Sequence, residues 1–388
     1  MEAYLFSGGR LLDPRRPELR EGVEVLVEGD RVREVSDRTI ASHAATRVDL
    51  RGRTLMPGLI DAHVHFFLAE VNLGLLDGMP LTLLTTKAAA AARRMLMRGF
   101  TTVRDAGGCD HGFKAAIDDG LVDGPRAFIA GMPISQTGGH ADFRRRTQAS
   151  FECSCCSGLA AMSRIADGVP EMLKAVRDEL RKGADQIKLM VSGGVASQSD
   201  PLESLQFRAD EIEAAVEQAA SWGTYVMAHA YSAAAIGRAV MRCAFMVPTL
   251  VTYECLQRRG PDYGLTPYSL QKNAVVLEAG LRSLELCRAA GVRIGFGTDL
   301  LGALQDEQSR EFLIRAQAMP AHEVIRSATL VNAEIVRREG ELGELVPGAY
   351  ADLLVVDGDP YADLAVLQNQ GERIAAIMKG GRLYKNRL

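Results

Sequence analysis

The chain has 388 residues, more than the usual single domain, and can bury its own core, so one large barrel or two domains are expected. Its 45 Lys and Arg against 49 Asp and Glu leave a formal charge of −4, without the basic excess of polyanion binders, so no nucleic-acid partner is expected. There is no run of about 18 apolar residues and no basic-then-apolar leader with a cleavage site, which argues against a membrane span or signal peptide.

The first fifty residues read as short strands, in "YLFSGGRLLD", "GVEVLVEGDRVREV" and "TRVDLRGRTLMPG". Alternating apolar and polar residues with Gly-Gly and Gly-Asp turns predict a small antiparallel sheet. The tail repeats this texture in "ADLLVVDGDP" and "IAAIMKGGRLYKNRL", so residues 1–56 and 341–388 are expected to pair into one β-sandwich domain.

Between them, over residues 57–340, strands alternate with helices. "TTVRDAGG" and "PRAFIAG" read as strands; "ADQIKLMVSGG" follows the helical "PEMLKAVRDELRKG"; "TYVMAHAY" follows "ADEIEAAVEQAASWG". "FMVPTLVTY" precedes the helical "LQKNAVVLEAGLRSLELCRAAG", and "VRIGFGTDLLG" comes next. This alternation predicts an α/β fold with a parallel (β/α) barrel, whose chemistry belongs at the carboxyl ends of the strands.

The ionisable residues fall at those ends. In "DAHVHF", residues 61–66, His63 and His65 point the same way if the chain is extended, and two neutral imidazoles suit a divalent metal without completing its site. Lys188 lies inside the apolar "QIKLMV", where a charged ammonium costs several kcal/mol unless neutralised or paired. Carbon dioxide adding to the neutral amine would give a carbamate able to bridge two metals; snorkelling to the rim or pairing with Asp299 is the plainer alternative. His229 and Tyr231 end "VMAHAY", and Asp299 ends "IGFGTD". Asp299 is a candidate general base beside a metal, with a helix N-cap as its ordinary alternative.

"PGLIDAHVHF", "DQIKLMVSGGVAS", "VMAHAY", "FGTDLLG", "ATLVNAEIV" and "GELVPGAYADLLVVDGDP" resemble the amidohydrolase superfamily, and within it the prolidase and carboxypeptidase-like group that cleaves dipeptides and N-acyl amino acids. The resemblance implies a (β/α)8 TIM-type barrel with a β-sandwich built from both termini. It further implies that His63, His65 and Asp299 hold a first metal, that carboxylated Lys188 bridges it to a second bound by His229, and that Asp299 shuttles the proton. His140 of "QTGGHAD" and Tyr231 correspond to groups that steady the substrate carbonyl or the developing oxyanion. Two zinc ions per chain are the implied occupants.

One element is out of place. The resemblance calls for a further histidine at the end of strand 6, yet no histidine lies between His229 and Asp299, and "SAAAIGRAV" runs through "MRC" into "AFMVPTLVTY". A strand–helix unit of roughly 20 to 30 residues, the size of one such repeat, is missing between Val240 and Ala244. Three explanations stand open: residues absent from the sequence as read, a true deletion leaving one metal, or replacement of the ligand by Cys243. His322, in "PAHEVIRSATL", is poorly placed to help.

The function expected is metal-dependent hydrolysis of the amide bond of an Xaa-Pro-like dipeptide or N-acyl amino acid. The alternatives are a cyclic amide hydrolase or deaminase of the imidazolonepropionase type, or a catalytically impaired barrel. The expected partner is the small-molecule substrate, with no membrane; a homo-oligomer is compatible with the sequence. The seven cysteines, three of them in "ECSCCSG", lack the paired spacing of a zinc knuckle and read as reduced thiols of a cytoplasmic protein. Arg144, Arg145 and Arg146 read as a solvated loop face, with a substrate carboxylate as the functional alternative.

Overall fold

The structure is a computed structural model that describes residues 2–76, 78–144, 163–197, 200–240 and 244–388. The two ends of the chain interleave in two sheets. One runs in the order Arg31–Ser36, Glu24–Glu28, Ala3–Ser7, Thr46–Asp49. The other runs Arg382–Asn386, Ile374–Lys379, Leu353–Val356, Thr54–Pro57, Arg10–Leu11, Arg20–Glu21. Strand alternation sends Val25 and Val27 to one face, where they join Phe6, Leu55, Leu353 and Val355 in a core shared by both ends. The sheets are mixed rather than antiparallel: Ala3–Ser7 runs parallel to Thr46–Asp49, and Arg10–Leu11 parallel to Thr54–Pro57. Neither pair is a hairpin. Other strands intervene in the chain, so the return leg can run in the same direction.

Between the ends, helices alternate with parallel strands. Leu59–Val64, Phe100–Asp105 and Arg126–Ile129 form one parallel group. Ile187–Met190 lies between Ile134–Ser135 and Val226–His229 in a second, and Phe245–Met246 pairs with Arg293–Ile294 in a third. The helix Gly168–Arg181 shows why these units pack. Met172, Ala175, Val176 and Leu180 recur at helical spacing and bury against Ile187 and Leu189. Backbone hydrogen bonds join the groups: Asp185 N to Ile129 O at 2.7 Å on one side, Ala62 N to Phe296 O at 2.9 Å on the other.

The remaining junction differs. Among the described residues, no backbone hydrogen bond links Val226–His229 to Phe245–Met246. Ala228 in the middle of its strand is exposed, as befits a sheet edge rather than a strand covered on both sides. This is the position at which the family resemblance calls for a further strand–helix unit; residues 241–243, with Cys243 among them, lie outside the described residues. Among the described residues no helix is long and apolar enough to cross a membrane.

Candidate metal centre and active site

His63 is the penultimate residue of the strand Leu59–Val64 and His65 directly follows that strand, with their ring centroids 5.4 Å apart. Asp299 approaches from the segment after Arg293–Ile294. Its Oδ1 lies 3.3 Å from His63 Nε2 and 3.0 Å from His65 Nε2, and one candidate ligand atom from each of the three residues falls within 4.8 Å of the others. Two local features make this approach possible. Gly297 passes so close that a Cβ there would sit 2.8 Å from His63 Cβ. Asp299 itself takes a left-handed backbone, φ 52°, while its N–H donates to His63 O at 2.8 Å; Asp tolerates this conformation better than most residues. The helical turn that follows, Gly302–Glu307, has Leu301 at its N-cap, so Asp299 is not a cap and its carboxylate is free to face the histidines.

Asp61, fully buried, braces the same turn. It accepts from His63 N at 3.0 Å, Thr298 Oγ1 at 2.7 Å and Gln308 Nε2 at 2.9 Å. Burial nevertheless lifts its pKa to about 6. Asp105 is also raised to about 6 by burial. It accepts from Phe66 N and Gly107 N, shaping the turn whose Gly107 carbonyl lies 2.9 Å from His65 Nδ1.

That last contact sets the tautomer. A carbonyl can only accept, so His65 carries its proton on Nδ1 and presents a lone pair from Nε2. The lone pair faces the Asp299 carboxylate at 3.0 Å, and two acceptors so close require a proton or a cation between them. The electrostatics agree. Burial opposes charge on His65, but Asp299 outweighs it and raises the pKa. Burial lowers His63 to about 4, against the pull of Asp299. Asp299, disfavoured as an anion by burial, is still held well below the usual carboxylate range by the two histidines. Two imidazole nitrogens and a carboxylate oxygen suit a divalent metal, and the Gly107 contact is the outer hydrogen bond that ligating histidines ordinarily make.

Lys188 stands in the fully buried strand Ile187–Met190, itself 2% exposed. Among the described residues its ammonium has no hydrogen-bond or ion-pair partner. Burial lowers its pKa to about 8, with Asp299 opposing and Arg104 adding to the shift. Neither snorkelling nor a direct bond to Asp299 relieves it. Lys188 lines the same cavity, of about 90 Å³, as His63, His65, Asp299 and His229. His229 is kept neutral by burial first, then by its neighbours His140 and Lys188; its Nε2 lies 3.2 Å from Gly193 O, which leaves Nδ1 as the nitrogen able to serve a ligand role. It is not part of the close cluster of three.

His140 and Tyr231 line this cavity too. The His140 ring stacks on His229 at 4.3 Å and 17°. Burial holds the Tyr231 hydroxyl well above its ordinary pKa, so it stays protonated, 2.7 Å from the Tyr253 hydroxyl. Arg144 instead makes a bidentate pair with Asp142, both contacts at 2.6 Å, beside a wider outer chamber. His322 sits on the helix Ala321–Arg326 and does not line the cavity. Arg145, Arg146, Cys153, Cys155, Cys156 and Cys243 lie outside the described residues. Asp61, Tyr253 and the buried Lys272 escaped the sequence reading. Asp61 alone left a signal, as the acid two residues before His63. "FMVPTLVTY" reads as one strand but forms a short strand, Phe245–Met246, and a helix, Leu250–Arg259, that carries Tyr253 to the cavity.

Comparison with known proteins adds an independent observation. The model of the Amidohydrolase family matches residues 54–242 and 236–383. A crystal structure of an amidohydrolase superposes with a TM-score of 0.96 at 49% identity, covering 100% of both chains. That of a prolidase complexed with N-methylphosphonate-L-proline also has a TM-score of 0.96, at 44% identity, covering 99% of this chain and 100% of its own. Ochratoxinase of Aspergillus niger is 29% identical over 384 residues, 88% of this chain and 78% of the relative.

Proposed function

Since the chain belongs to the amidohydrolase family, whose members hydrolyse carbon–nitrogen bonds, we propose that it cleaves the amide bond of Xaa-Pro-like dipeptides or N-acyl amino acids with the help of a bound divalent metal. Similarity to a prolidase supports the dipeptide side of this reading, and similarity to ochratoxinase supports an amide hydrolase more broadly. We read the parallel strand–helix units as a (β/α)8-type barrel over residues 57–340, short of one unit after His229. Residues 1–56 and 341–388 form the accompanying β-sandwich. Reduced thiols and a full-sized core suit a cytoplasmic enzyme.

One observation carries the chemistry: an unpartnered, buried lysine faces a His-His-Asp cluster. With a pKa of about 8, roughly a quarter of Lys188 is neutral at pH 7.5, against about a thousandth of an ordinary lysine. The neutral amine can add carbon dioxide and release a proton, exchanging an unpaired buried cation for an anionic ligand. His63, His65 and Asp299 would hold a first metal, with the Lys188 carbamate and His229 offering donors to a second. Mixed nitrogen and oxygen donors of this kind suit zinc, and a divalent Lewis acid held there would polarise the substrate carbonyl and acidify water.

The remaining steps belong to the side chains. Tyr231, fixed by Tyr253 and protonated, donates to the developing oxyanion, and His140, which lines the same cavity, steadies the substrate carbonyl. Asp299 takes the proton of the attacking water and returns it to the leaving nitrogen, so amide and water become acid and amine. The apolar walls of the cavity, including Met190, Val195 and Leu301, exclude bulk solvent. Lys188 separates this reading from the imidazolonepropionase-type alternative, in which one metal and no carbamate would serve. The test is to strip the protein with chelator, reload it with zinc and bicarbonate, and assay Xaa-Pro dipeptides and N-acyl amino acids for released amino acid. Release that depends on the reloading is expected; stoichiometric metal without release from any of them overturns the proposal.

A further inference from the structure

Lys272 lies in the helix Pro267–Ala289, outside the cavity and away from the residues described above, yet it is 6% exposed. Its Nζ donates to three backbone carbonyls: Gly194 at 2.5 Å, Ser197 at 2.7 Å and Asp200 at 3.2 Å. The ring of Tyr268, one turn earlier, covers it at 4.9 Å. The ammonium thus sits as a fixed cation in a cradle of carbonyls, on which Gly194, Ser197 and Asp200, after Ile187–Met190, converge.

The loop that carries them also holds His140. Ser197 Oγ lies 2.8 Å from His140 Nδ1, and the Asp200 carboxylate lies 3.7 Å from the same nitrogen, an arrangement that favours the proton on Nδ1. Gly194 lies so close to the imidazole that a Cβ there would sit 2.0 Å from His140 Cε1. Asp200 Oδ2 closes the loop by accepting from Gly194 N and Gln206 Nε2, both at 3.1 Å. Gln206 Oε1 in turn accepts from His140 N at 2.8 Å. His140 is therefore clamped between the loop and the stacked ring of His229.

We propose that Lys272 is a positioning residue: by gathering the carbonyls of Gly194, Ser197 and Asp200, it holds the loop that sets the tautomer and angle of His140. A buried ammonium with three oxygen partners is satisfied, whereas its removal leaves three carbonyls turned toward one empty point, and the loop opens. The consequence for turnover rests on the reading that His140 meets the substrate; the consequence for His140 itself does not.

The test uses the full chain with ring-¹⁵N histidine. In Lys272→Ala, the His140 ring nitrogen signals should move and kcat/KM should fall roughly 10- to 100-fold, the scale of a misplaced catalytic side chain. Ethylammonium should refill the cradle, returning both the signals and part of the rate, while tetramethylammonium, which cannot donate, should not. Ser197→Ala removes the link to His140 but keeps the cradle, and should shift the same signals in a protein of near wild-type stability. Unchanged His140 signals in a folded Lys272→Ala protein overturn the proposal, and if that variant does not fold, unchanged signals in Ser197→Ala do so. If the wild type cleaves no amide, the proposed function fails while the His140 spectra still decide this inference.

Discussion

Replacing Lys188 by methionine should make the metal-free protein more stable while removing its activity. Methionine matches the length of the lysine stem and leaves no charge in the strand Ile187–Met190. The fall of the lysine pKa from 10.5 to about 8 corresponds to roughly 3 kcal/mol of disfavoured charge. Below pH 8 both the folded and unfolded chains carry the protonated amine, and the folded state bears the whole penalty. As pH rises from 8 to 10.5 the folded amine is already neutral while the unfolded one is still losing its proton, so the penalty fades, and above 10.5 it is gone. Urea unfolding of chelated protein in carbon dioxide-free buffer should thus show Lys188→Met ahead by about 2 to 3 kcal/mol at pH 7, with the difference shrinking as the pH rises from 8 and nearly gone by about 10.5. With metal and bicarbonate restored, turnover of the variant should be at least about 100-fold below wild type, since second-sphere and ligand losses at metal sites are of that size. A variant less stable than wild type at pH 7, or one that keeps its turnover, would refute the reasoning.

Asp299→Asn should lower kcat by about 10²- to 10⁴-fold even at saturating metal, the usual contribution of a general acid–base group; a loss under tenfold would remove Asp299 from the proton's path. Asp61 is lifted to about 6 by burial, so its ionisation costs stability as pH rises from 4 to 6. The stability of wild type relative to Asp61→Asn should then fall by about 3 kcal/mol across that window in metal-free protein, as read by urea unfolding. Gly297→Ala would press a methyl against His63 and Val247 and should destabilise the chain by about 1 to 3 kcal/mol and weaken metal binding, measured by competition with a chromogenic chelator.

How much of the site was legible in the sequence depended on how far each cause reached along the chain. His63 and His65 could be paired from their spacing because an extended backbone repeats every two residues. Lys188 stood out because its neighbours in "QIKLMV" are apolar, and its burial follows from the strand alone. Asp299 was ambiguous: an acid before "LLG" serves equally as a cap, and only the left-handed turn against His63 O and the later helix start decide for the cavity. Lys272 could not be found, because its three partners lie more than 70 residues away and are backbone atoms with no sequence signature. Asp61 left only its place two residues before His63, since its partners Thr298 and Gln308 reach it from over 230 residues away. At chain level, both ends were legible as strands, but their mixed pairing was not, because local alternation carries no information on strand direction. The order of motifs pointed to a gap after Val240, and among the described residues the strand Val226–His229 stands at the edge of its sheet there.

The most direct measurement is anomalous diffraction at the zinc edge from crystals of protein loaded with zinc and bicarbonate and shown to be active. A peak bounded by His63 Nε2, His65 Nε2 and Asp299 Oδ1, with carbamate density on Lys188 Nζ, is the predicted result. An active preparation with no peak among those atoms, or with an unmodified Lys188, would contradict it.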